Sequence, residues 1–414
     1  MHFFSAIVLT CLASTAVAYP ALEQAASSAE FKEYQKQEKR QTLGFDAASQ
    51  IVSTTGDHAW QAPGANDIRG PCPGLNSMAN HGYIPRNGYT SDAQIIAAMQ
   101  AVFNISPDFG GFLTVLGSAM GGDGLGFSIG GPPSASLLTA TGLVGKPQGM
   151  SNTHNRFESD QSITRDDLYQ TGNDVTLNMN FFQDLLNSSL PKGWYDIDVL
   201  GNHAVKRFQY SVANNPYFFK GLNTAFIPEA TSALVTYLFA NHSAACPAGC
   251  LDATNLKSFY SVTGSGSTLK YTPGHERIPD NWYKYPVGYG VANVFADMVT
   301  VYSKYSNQAA FGGNTGTVNS FTGLDVANIT GGVYNAETLL QGNNLGCFLF
   351  NGMEFFMPDL ISNGGVIGDV SGVVSSLTGT ITSLLAPFNC PKLSGIDKKA
   401  FAIYPGWNDG KPRK

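Results

Sequence analysis

A single cysteine between two prolines, Pro71-Cys72-Pro73, is the residue of this sequence with the most distinctive chemistry. The prolines restrict the backbone on both sides of the thiol, and Leu75 and Met78 follow at the spacing of a helix face. Cys72 would therefore lie at or just before a helix N-terminus, where free N–H groups and the helix dipole favour a thiolate. A fixed anionic sulfur is what an axial ligand of a haem iron requires. A buried structural cysteine is the alternative, because cysteine is often fully buried.

The cysteine count separates Cys72 from the others. Six cysteines are present, and one of them falls in the N-terminal leader described below. An odd number in an oxidising compartment leaves one thiol outside the disulfides. Cys246 and Cys250 form a C-x₃-C pattern that favours a small disulfide loop, and Cys347 would then pair with Cys390. Four cysteines allow three pairings, and the sequence alone does not choose among them.

The polar run from residue 154 to residue 167 is a second candidate site. Glu158, Asp160 and Ser162 place three oxygen ligands at alternating positions. Such a set suits a hard cation such as Mg²⁺, which takes few protein ligands and keeps several waters. The alternative is a solvated acidic loop, which is what most runs of this kind are.

A third signal is the sequence GFSIG, which places Ser128 in a G-x-S-x-G pattern. This pattern is typical of the nucleophile of secreted serine hydrolases, where it follows a buried strand. Here a glycine-rich stretch precedes it instead of an apolar strand, and chance matches are easy in such a stretch. A hydrolase built on Ser128 is therefore kept only as an alternative.

The N-terminus reads as a leader followed by a mature chain. Residues 1–18 combine an apolar core with a small-residue cleavage site, which is typical of a signal peptide. Residues 19–40 are polar and end in a dibasic pair, which indicates a propeptide, and residues 41–414 form the remaining domain. We expect a secreted protein. Four N-x-S/T sequons then predict glycosylation at Asn104, Asn187, Asn241 and Asn328.

Composition limits the class of partner. The 414 residues are 43% hydrophobic and only 13% charged, with a formal net charge of −6. This balance argues against a groove that follows nucleic-acid phosphates. After the leader, the sequence contains no apolar run long enough for a membrane span.

Hydrophobic spacing predicts a mostly α, single-domain protein with long loops. We expect loops with short helical turns over the glycine-dense residues 107–135. Helices are predicted at 91–106 with Ser91 as N-cap, at 166–189, from Pro228 to residue 243, at 339–359 and at 370–388.

The stretch from residue 71 to residue 88 resembles the signature of the fungal haem-thiolate peroxidases, the chloroperoxidase and unspecific peroxygenase family. That signature is Pro-Cys-Pro, then Leu-Asn-x-x-Ala-Asn-His-Gly and an arginine after a proline. The matching residues are Pro71, Cys72, Pro73, Leu75, Asn76, Ala79, Asn80, His81, Gly82, Pro85 and Arg86. The resemblance implies the haem-thiolate peroxidase fold, with haem b bound through the thiolate of Cys72.

The polar run resembles the family's Glu-x-Asp motif, which is followed by a serine. The resemblance implies that the Glu158 carboxylate, the Ser159 carbonyl and the Ser162 hydroxyl bind Mg²⁺ or Mn²⁺ beside a haem propionate. Ser159 replaces the glycine or histidine that is common in the family, so an imidazole that could orient the distal acid is absent. We place Phe157 at the haem access channel.

The family also carries a distal glutamate that moves a proton during peroxide cleavage, and Glu229 is the candidate here. Its apolar neighbours would favour the protonated form. A first-turn glutamate that complements a helix dipole is the alternative. The long peroxygenases place an arginine shortly upstream of this acid, whereas the nearest upstream arginine here is Arg207. The partner of Glu229 is therefore not identified by the motif.

The resemblance implies a secreted enzyme that uses hydrogen peroxide to oxygenate or oxidise small aromatic or aliphatic molecules, with halogenation also open. A non-catalytic secreted haem-binding protein is the alternative, and it would keep Cys72 without needing Glu229. The natural substrate, the oligomeric state and the role of residues 250–345 are not indicated by the sequence.

Overall fold

A computed structural model describes residues 44–123, 126–133, 147–154, 160–191, 193–305, 310–363 and 388–407. The predicted signal peptide and propeptide lie outside the described residues. So do Phe157, Glu158 and Ser159, and all but the last residue of the predicted helix at 370–388.

Helices dominate the described part of the chain, which confirms the mostly α, single-domain prediction. The α-helices are α1 (Ala47–Gln50), α2 (Pro73–Asn80), α3 (Asp92–Phe103), α4 (Pro107–Met120), α5 (Leu168–Thr171), α6 (Met179–Asn187), α7 (Ile197–Asn214), α8 (Leu222–Leu238), α9 (Ala253–Phe259), α10 (Val291–Lys304), α11 (Val326–Ile329) and α12 (Asn344–Asn363). None of the described helices is both long and apolar enough to cross a membrane.

The strands are short and antiparallel. They are β1 (Tyr89–Ser91), β2 (Gly126–Ser128), β3 (Phe219–Lys220), β4 (Val262–Thr263), β5 (Lys270–Tyr271), β6 (Gly312–Gly313) and β7 (Thr322–Gly323). They form the pairs β1–β2 and β4–β5 and the three-stranded order β3–β6–β7.

Helix α8 lies at the centre of the helical packing. It contacts α7, α10 and α12, while α3 packs on α4. Aromatic rings join these layers: the Phe112 ring on α4 lies 4.2 Å from Phe350 on α12 and 5.1 Å from Phe226 on α8. All three rings are fully buried. The core therefore forms around α8, and the site described below lies along one side of this helix.

The predicted helix at 91–106 is confirmed as α3, and its cap explains where it begins. Ser91 accepts a hydrogen bond from the Gln94 backbone N–H, and the Gln94 side chain bonds the Ser91 backbone in return. This reciprocal capping box satisfies two N–H groups that a helix start leaves without partners. Asn104 adopts a left-handed conformation (φ 56°) and ends the helix.

The prediction of loops over residues 107–135 is wrong, because α4 occupies the first half of that segment. Pro107 begins the helix, where its missing N–H costs nothing. Gly117 allows a close approach: a Cβ there would lie 2.9 Å from the Phe127 ring. Gly117 thus allows this helix to pack closely on Phe127, which local propensity could not reveal.

A continuous helix over 166–189 is also wrong. Gly172 takes a positive φ of 70° and ends α5, and Asn178 then caps α6 through its side chain. In between, the Asn173 side chain accepts backbone N–H bonds from Val175 and Thr176. These local bonds compete with helical ones and break the element in two.

The helix predicted to begin at Pro228 begins six residues earlier, at Leu222. Pro228 lies inside α8, where it removes one backbone hydrogen bond and favours a kink. Burial of the whole helix offsets this cost, since Leu222, Ala225 and Phe226 are fully buried.

Helices α7 and α10 were not predicted. On α7 the buried face includes the polar residues His203, Arg207 and Ser211 beside apolar ones, and these polar residues interrupt the 3.6-residue hydrophobic period. The late helix predicted at 339–359 is confirmed as α12.

Both disulfides pair as predicted. Cys246 bonds to Cys250 and Cys347 bonds to Cys390. Cys72 is the free cysteine of the described residues. The longer bridge ties α12 to the C-terminal segment, and in the loop-entropy picture such a closure contributes about 3–4 kcal/mol.

Candidate active site

A mostly apolar cavity lies between α2, α3, α4, α8 and the loop before α5. The described residues that line it include Cys72, Pro73, Leu75, Met78, Ile95, Met99, Phe103, Leu113, Phe127, Ser162, Arg165, Ile227, Pro228, Leu234, Leu238 and Phe239. Two segments bring polar groups to it. We call residues 70–88 the cysteine wall and residues 160–167 the acidic loop.

Cys72 lies at the N-cap of α2 and lines the cavity, as the sequence predicts. Burial raises the pKa of its thiol, and the backbone N–H groups of Leu75 and Gly74 and the Arg165 guanidinium act in the opposite direction. The helix N-terminus therefore favours the thiolate, but without a bound cation the desolvation of the anion is the larger effect. A metal ion at the sulfur would supply the missing positive charge.

The cysteine wall is held by its own amide side chains. The buried Asn76 accepts the Gly70 N–H at 3.0 Å and donates to the Gly70 carbonyl at 2.9 Å. The Asn80 amide donates to the carbonyls of Gly274 and Glu276, both at 2.8 Å. These bonds fix the two ends of α2 and with them the direction of the Cys72 side chain.

His81 and Arg86 complete this wall. The His81 Nδ1–H donates to the His58 carbonyl at 2.7 Å, and Nε2 accepts the Ile278 N–H at 3.2 Å. Both ring nitrogens are therefore used by a neutral imidazole, and burial lowers the pKa of His81. Arg86 donates to the Asn80 carbonyl and to that of Ala59. The motif residues after Cys72 thus bind backbone groups of the structure around α2.

A buried carboxyl, Glu276, lies on the outer side of this wall. Its Oε2 has no hydrogen-bond partner among the described residues, and burial raises its pKa. Asn76 and the Arg165 and Arg69 guanidinium groups act to lower that pKa. Sequence patterns gave no sign of this residue, because it stands alone in a segment without a recognised motif.

The acidic loop is held by buried carboxylates. Asp160 accepts the Leu168 N–H at 3.2 Å and the Asn215 amide at 2.8 Å. Asp167 accepts the Ser211 hydroxyl at 3.0 Å. Gln161, between them, has a positive φ of 74°, which is costly for a residue with a Cβ and needs support from its surroundings.

Side chains of α7 hold the backbone of the same loop. His203 donates to the Ile163 carbonyl at 2.7 Å, and Arg207 donates to the carbonyls of Ser162 at 2.9 Å and Arg165 at 3.3 Å. The Arg207 guanidinium also lies 3.3 Å from the centre of the Phe181 ring. The described role of Arg207 is therefore to support the loop.

Ser162 lines the cavity, and its hydroxyl accepts the Arg165 backbone N–H at 3.1 Å. The other two predicted cation ligands, Glu158 and Ser159, lie outside the described residues, as does Phe157. Among the described side chains no group of three His, Cys, Asp or Glu is arranged to hold a metal. The cation site stays a prediction.

Glu229 belongs to α8, one residue after Pro228, which lines the cavity. The Glu229 side chain lies outside what the structure describes, so its role as distal acid stays a prediction. Ile227, Thr231 and Leu234 of the same helix also line the cavity.

Ser128 does not have the surroundings of a hydrolase nucleophile. It is fully buried in the short strand β2, and its hydroxyl accepts the Gly130 N–H at 3.3 Å. A hydrolase needs this serine exposed on a sharp turn between a strand and a helix.

One functional candidate was not recognised from the sequence. Arg165 is 3% exposed and lines the cavity, and its Nη1 has no hydrogen-bond partner among the described residues. Its Nη2 donates to the Pro71 carbonyl at 3.0 Å and so joins the acidic loop to the cysteine wall. The motifs described above assign no role to this arginine.

Comparisons with known proteins identify the family of this chain. The family model described as "Peroxidase, family 2" matches residues 58–287, more than half of the chain. The aromatic peroxidase fscJ of Fusarium equiseti is 35% identical over 96% of this chain and 94% of its own length. An aromatic peroxygenase of Coprinellus radians is 37% identical over 39% of this chain and 62% of its own length. A chloroperoxidase of Leptoxyphium fumago is 31% identical over 31% of this chain and 32% of its own length.

The chain therefore belongs to the fungal haem-thiolate peroxidases, the family of peroxidases and peroxygenases whose signature the cysteine wall carries. The predicted enzyme class is confirmed. The two alternatives, a non-catalytic haem-binding protein and a serine hydrolase, are not supported.

Proposed function

We propose that this enzyme binds haem b in the cavity through the Cys72 thiolate and uses hydrogen peroxide to oxidise or oxygenate small organic molecules. The observation that carries the proposal is a free cysteine at a helix N-cap, exposed to an apolar cavity. The donor set fits the group: one soft sulfur ligand on one wall, and apolar side chains that would contact the faces of a flat macrocycle.

When bound, the haem supplies the iron at which peroxide is cleaved, and a thiolate ligand favours heterolysis of the O–O bond. The chain's own residues prepare this chemistry. The N–H groups of Gly74 and Leu75 favour the anionic sulfur, and Asn76 fixes the loop that presents it. Apolar side chains of α3 and α8 exclude water and would favour apolar substrates. The names of the relatives support aromatic substrates.

The test of ligation is spectroscopic. The reduced protein under carbon monoxide should show a Soret band at the long wavelength of a thiolate-bound haem. Replacing the sulfur by imidazole in Cys72→His should move the band to the position of histidine ligation. A Ser77→Ala variant, altered on the same helix but away from the sulfur, should keep the wild-type spectrum. An unchanged band in Cys72→His would remove Cys72 from the iron.

For the proton transfer we propose Glu229, which would carry a proton from the inner to the outer oxygen of hydrogen peroxide. Glu229→Gln keeps the shape of the side chain but cannot release and regain a proton. The first peroxide-dependent absorbance change should slow by about 10²–10⁴-fold in stopped-flow mixing, with the resting spectrum unchanged. If Glu229 only complements the helix dipole, the variant loses about 0.3–1 kcal/mol of stability and reacts at the wild-type rate.

For the cation we propose Mg²⁺ or Mn²⁺ bound by the Glu158 carboxylate, the Ser159 carbonyl and the Ser162 hydroxyl. Support comes from the position of Ser162 at the cavity wall. After chelation of the holoenzyme, Mg²⁺ should rebind in a calorimetric titration, and Ser162→Ala should weaken that binding. Ser77→Ala removes a buried serine hydroxyl elsewhere and should bind Mg²⁺ as the wild type does. Equal affinities in all three proteins would contradict this ligand set.

Secretion and glycosylation are also part of the proposal. The mature protein from culture medium should begin at Gln41, after removal of residues 1–40. Asn187 and Asn328 are exposed, whereas the Asn104 amide donates to the Tyr285 carbonyl at 2.9 Å. Glycopeptide mapping should therefore find higher occupancy at the two exposed sites. Unmodified asparagine at all four sequons would remove glycosylation from the proposal.

A further inference from the structure

We propose that Arg165 binds a carboxylate of the haem and so ties the edge of the cofactor to the loop that presents Cys72. This inference rests on the proposed haem site. It concerns an arginine whose Nη1 group has no hydrogen-bond acceptor among the described residues.

The first observation is a buried guanidinium N–H group at the cavity that has no acceptor among the described residues. Among the described residues that line the cavity, Arg165 is the one with a permanent positive charge. It is 3% exposed, and its Nη1 is buried without a hydrogen-bond partner among the described residues. A buried N–H of a charged group is costly to leave without an acceptor. The Nη1 group of Arg165 therefore lacks an acceptor among the described residues.

The second observation is that the guanidinium is held in place before any ligand arrives. Its Nη2 donates to the Pro71 carbonyl at 3.0 Å. Its own backbone is fixed by the Ser162 hydroxyl at 3.1 Å and by Arg207 at 3.3 Å. A side chain fixed on one side with a free donor on the other is preorganised to bind a planar anion.

The chemistry of haem b supplies that anion. Its macrocycle is apolar, as most of the cavity lining is, and it carries two propionates at one edge. A propionate inside the protein needs a charged partner, since burial of an unpaired carboxylate is costly. Asp174, the acidic residue among the described lining, lies 3.4 Å from the imidazole of His154. Among the described lining, Arg165 is therefore the cationic side chain that a propionate at this edge of the haem would meet.

The test uses holoenzyme and measures retention of the haem. Wild-type protein and Arg165→Gln are mixed with excess apomyoglobin, and the transfer of haem is followed by absorbance. Loss of one charge-assisted hydrogen bond should speed the release by about 10–100-fold. Arg165→Lys, which keeps the charge without the planar fork, should give an intermediate rate. If Arg165→Gln does not fold, the haem release rate of Arg165→Lys still tests the proposal.

Arg69→Gln is the matched control. Arg69 also lies beside α2, but its guanidinium donates to Asn80 at 2.9 Å and to the Arg86 carbonyl at 2.7 Å, and it is not among the residues that line the cavity. This variant should release haem within a few-fold of the wild-type rate. Equal acceleration in both variants would assign the effect to general loosening and overturn the proposal.

A spectroscopic readout separates contact from general stability. The propionate bending band in the resonance Raman spectrum responds to hydrogen bonds at the carboxylate. It should shift in Arg165→Gln and stay in place in Arg69→Gln. An unshifted band in Arg165→Gln would overturn the proposal, whatever the release rate. Absence of haem from the wild-type protein would instead contradict the proposed function, so the two failures are distinguishable.

Discussion

The cysteine wall and the acidic loop meet at the hydrogen bond from Arg165 to the Pro71 carbonyl, yet they are built in opposite ways. The wall supplies its own hydrogen-bonding side chains: Asn76 binds the backbone of Gly70 within the wall, and Asn80 and Arg86 bind backbone carbonyls outside it. The loop offers mainly carbonyls and carboxylates, and the side chains that hold its carbonyls come from α7, about 40 residues further along the chain.

This difference explains why one segment could be recognised more fully than the other. A side chain that binds backbone groups must have a particular size and polarity. The side chains that hold the cysteine wall belong to the wall itself, so its own residue types indicate its structure. The acidic loop is held by Arg207 and His203, which look like ordinary helix residues in the sequence. The conformation of a segment that is held by side chains from another part of the chain is harder to predict from the segment's own sequence.

The largest expected effect comes from removing the main support of the loop. Arg207 and Asp167 are both buried, with 3% and 0% exposure of their side chains. Arg207→Leu leaves loop carbonyls without donors and weakens the compensation of Asp167, and it should lower the free energy of unfolding by about 3–5 kcal/mol. Urea denaturation measures this change.

The control for that variant is its neighbour on the same helix. Lys206 pairs with Asp184 at 3.1 Å, and the two side chains are 55% and 49% exposed. Lys206→Gln should therefore change the stability by no more than about 1 kcal/mol. Similar losses of unfolding free energy in Arg207→Leu and Lys206→Gln would contradict the idea that the buried ion pair of Arg207 stabilises the acidic loop.

A smaller loss is expected when the cysteine wall loses one of its own fastenings. Asn76→Ala leaves the N–H and the carbonyl of Gly70 without partners, at a cost of about 2–4 kcal/mol. Asn87→Ala removes an exposed bond to the Tyr89 N–H and should cost less than about 1 kcal/mol. The comparison of the two regions predicts that Asn76→Ala also shifts the Soret band of the holoenzyme, because Asn76 fixes the cysteine. A band at the wild-type position would count against this coupling.

The smallest effect concerns pH. Burial lowers the pKa of His203, so the unfolded chain binds a proton at a higher pH than the folded protein does. The stability that the neutral ring contributes is present above its ordinary pKa of about 6.5 and is lost as the pH falls through the lowered pKa of the folded state. His203→Gln keeps a donor for the Ile163 carbonyl but does not titrate in this range. Its urea midpoint should fall less between pH 7.5 and pH 5 than that of the wild type, and identical slopes would contradict the assignment.

The sequence by itself determined the family, the position of Cys72 at the start of α2, its exclusion from the disulfides and the capped helix α3. These features depend on residues close together in the chain or on cysteines that have few partners. Dihedral restraint by Pro71 and Pro73 and the capping of α3 by Ser91 act over a few residues, so their outcome can be read locally.

Only the tertiary structure decided what holds the acidic loop and which polar group at the cavity lacks a partner. Arg207 and His203 lie on a helix whose buried face mixes polar and apolar residues. The close contact of Gly117 with the Phe127 ring likewise depends on residues that are apart in the sequence. The unpartnered Nη1 of Arg165 becomes visible when burial has removed water from its surroundings. The roles of these groups depend on burial and on contacts between residues that are far apart in the sequence. Neither can be read from a residue and its neighbours in the chain.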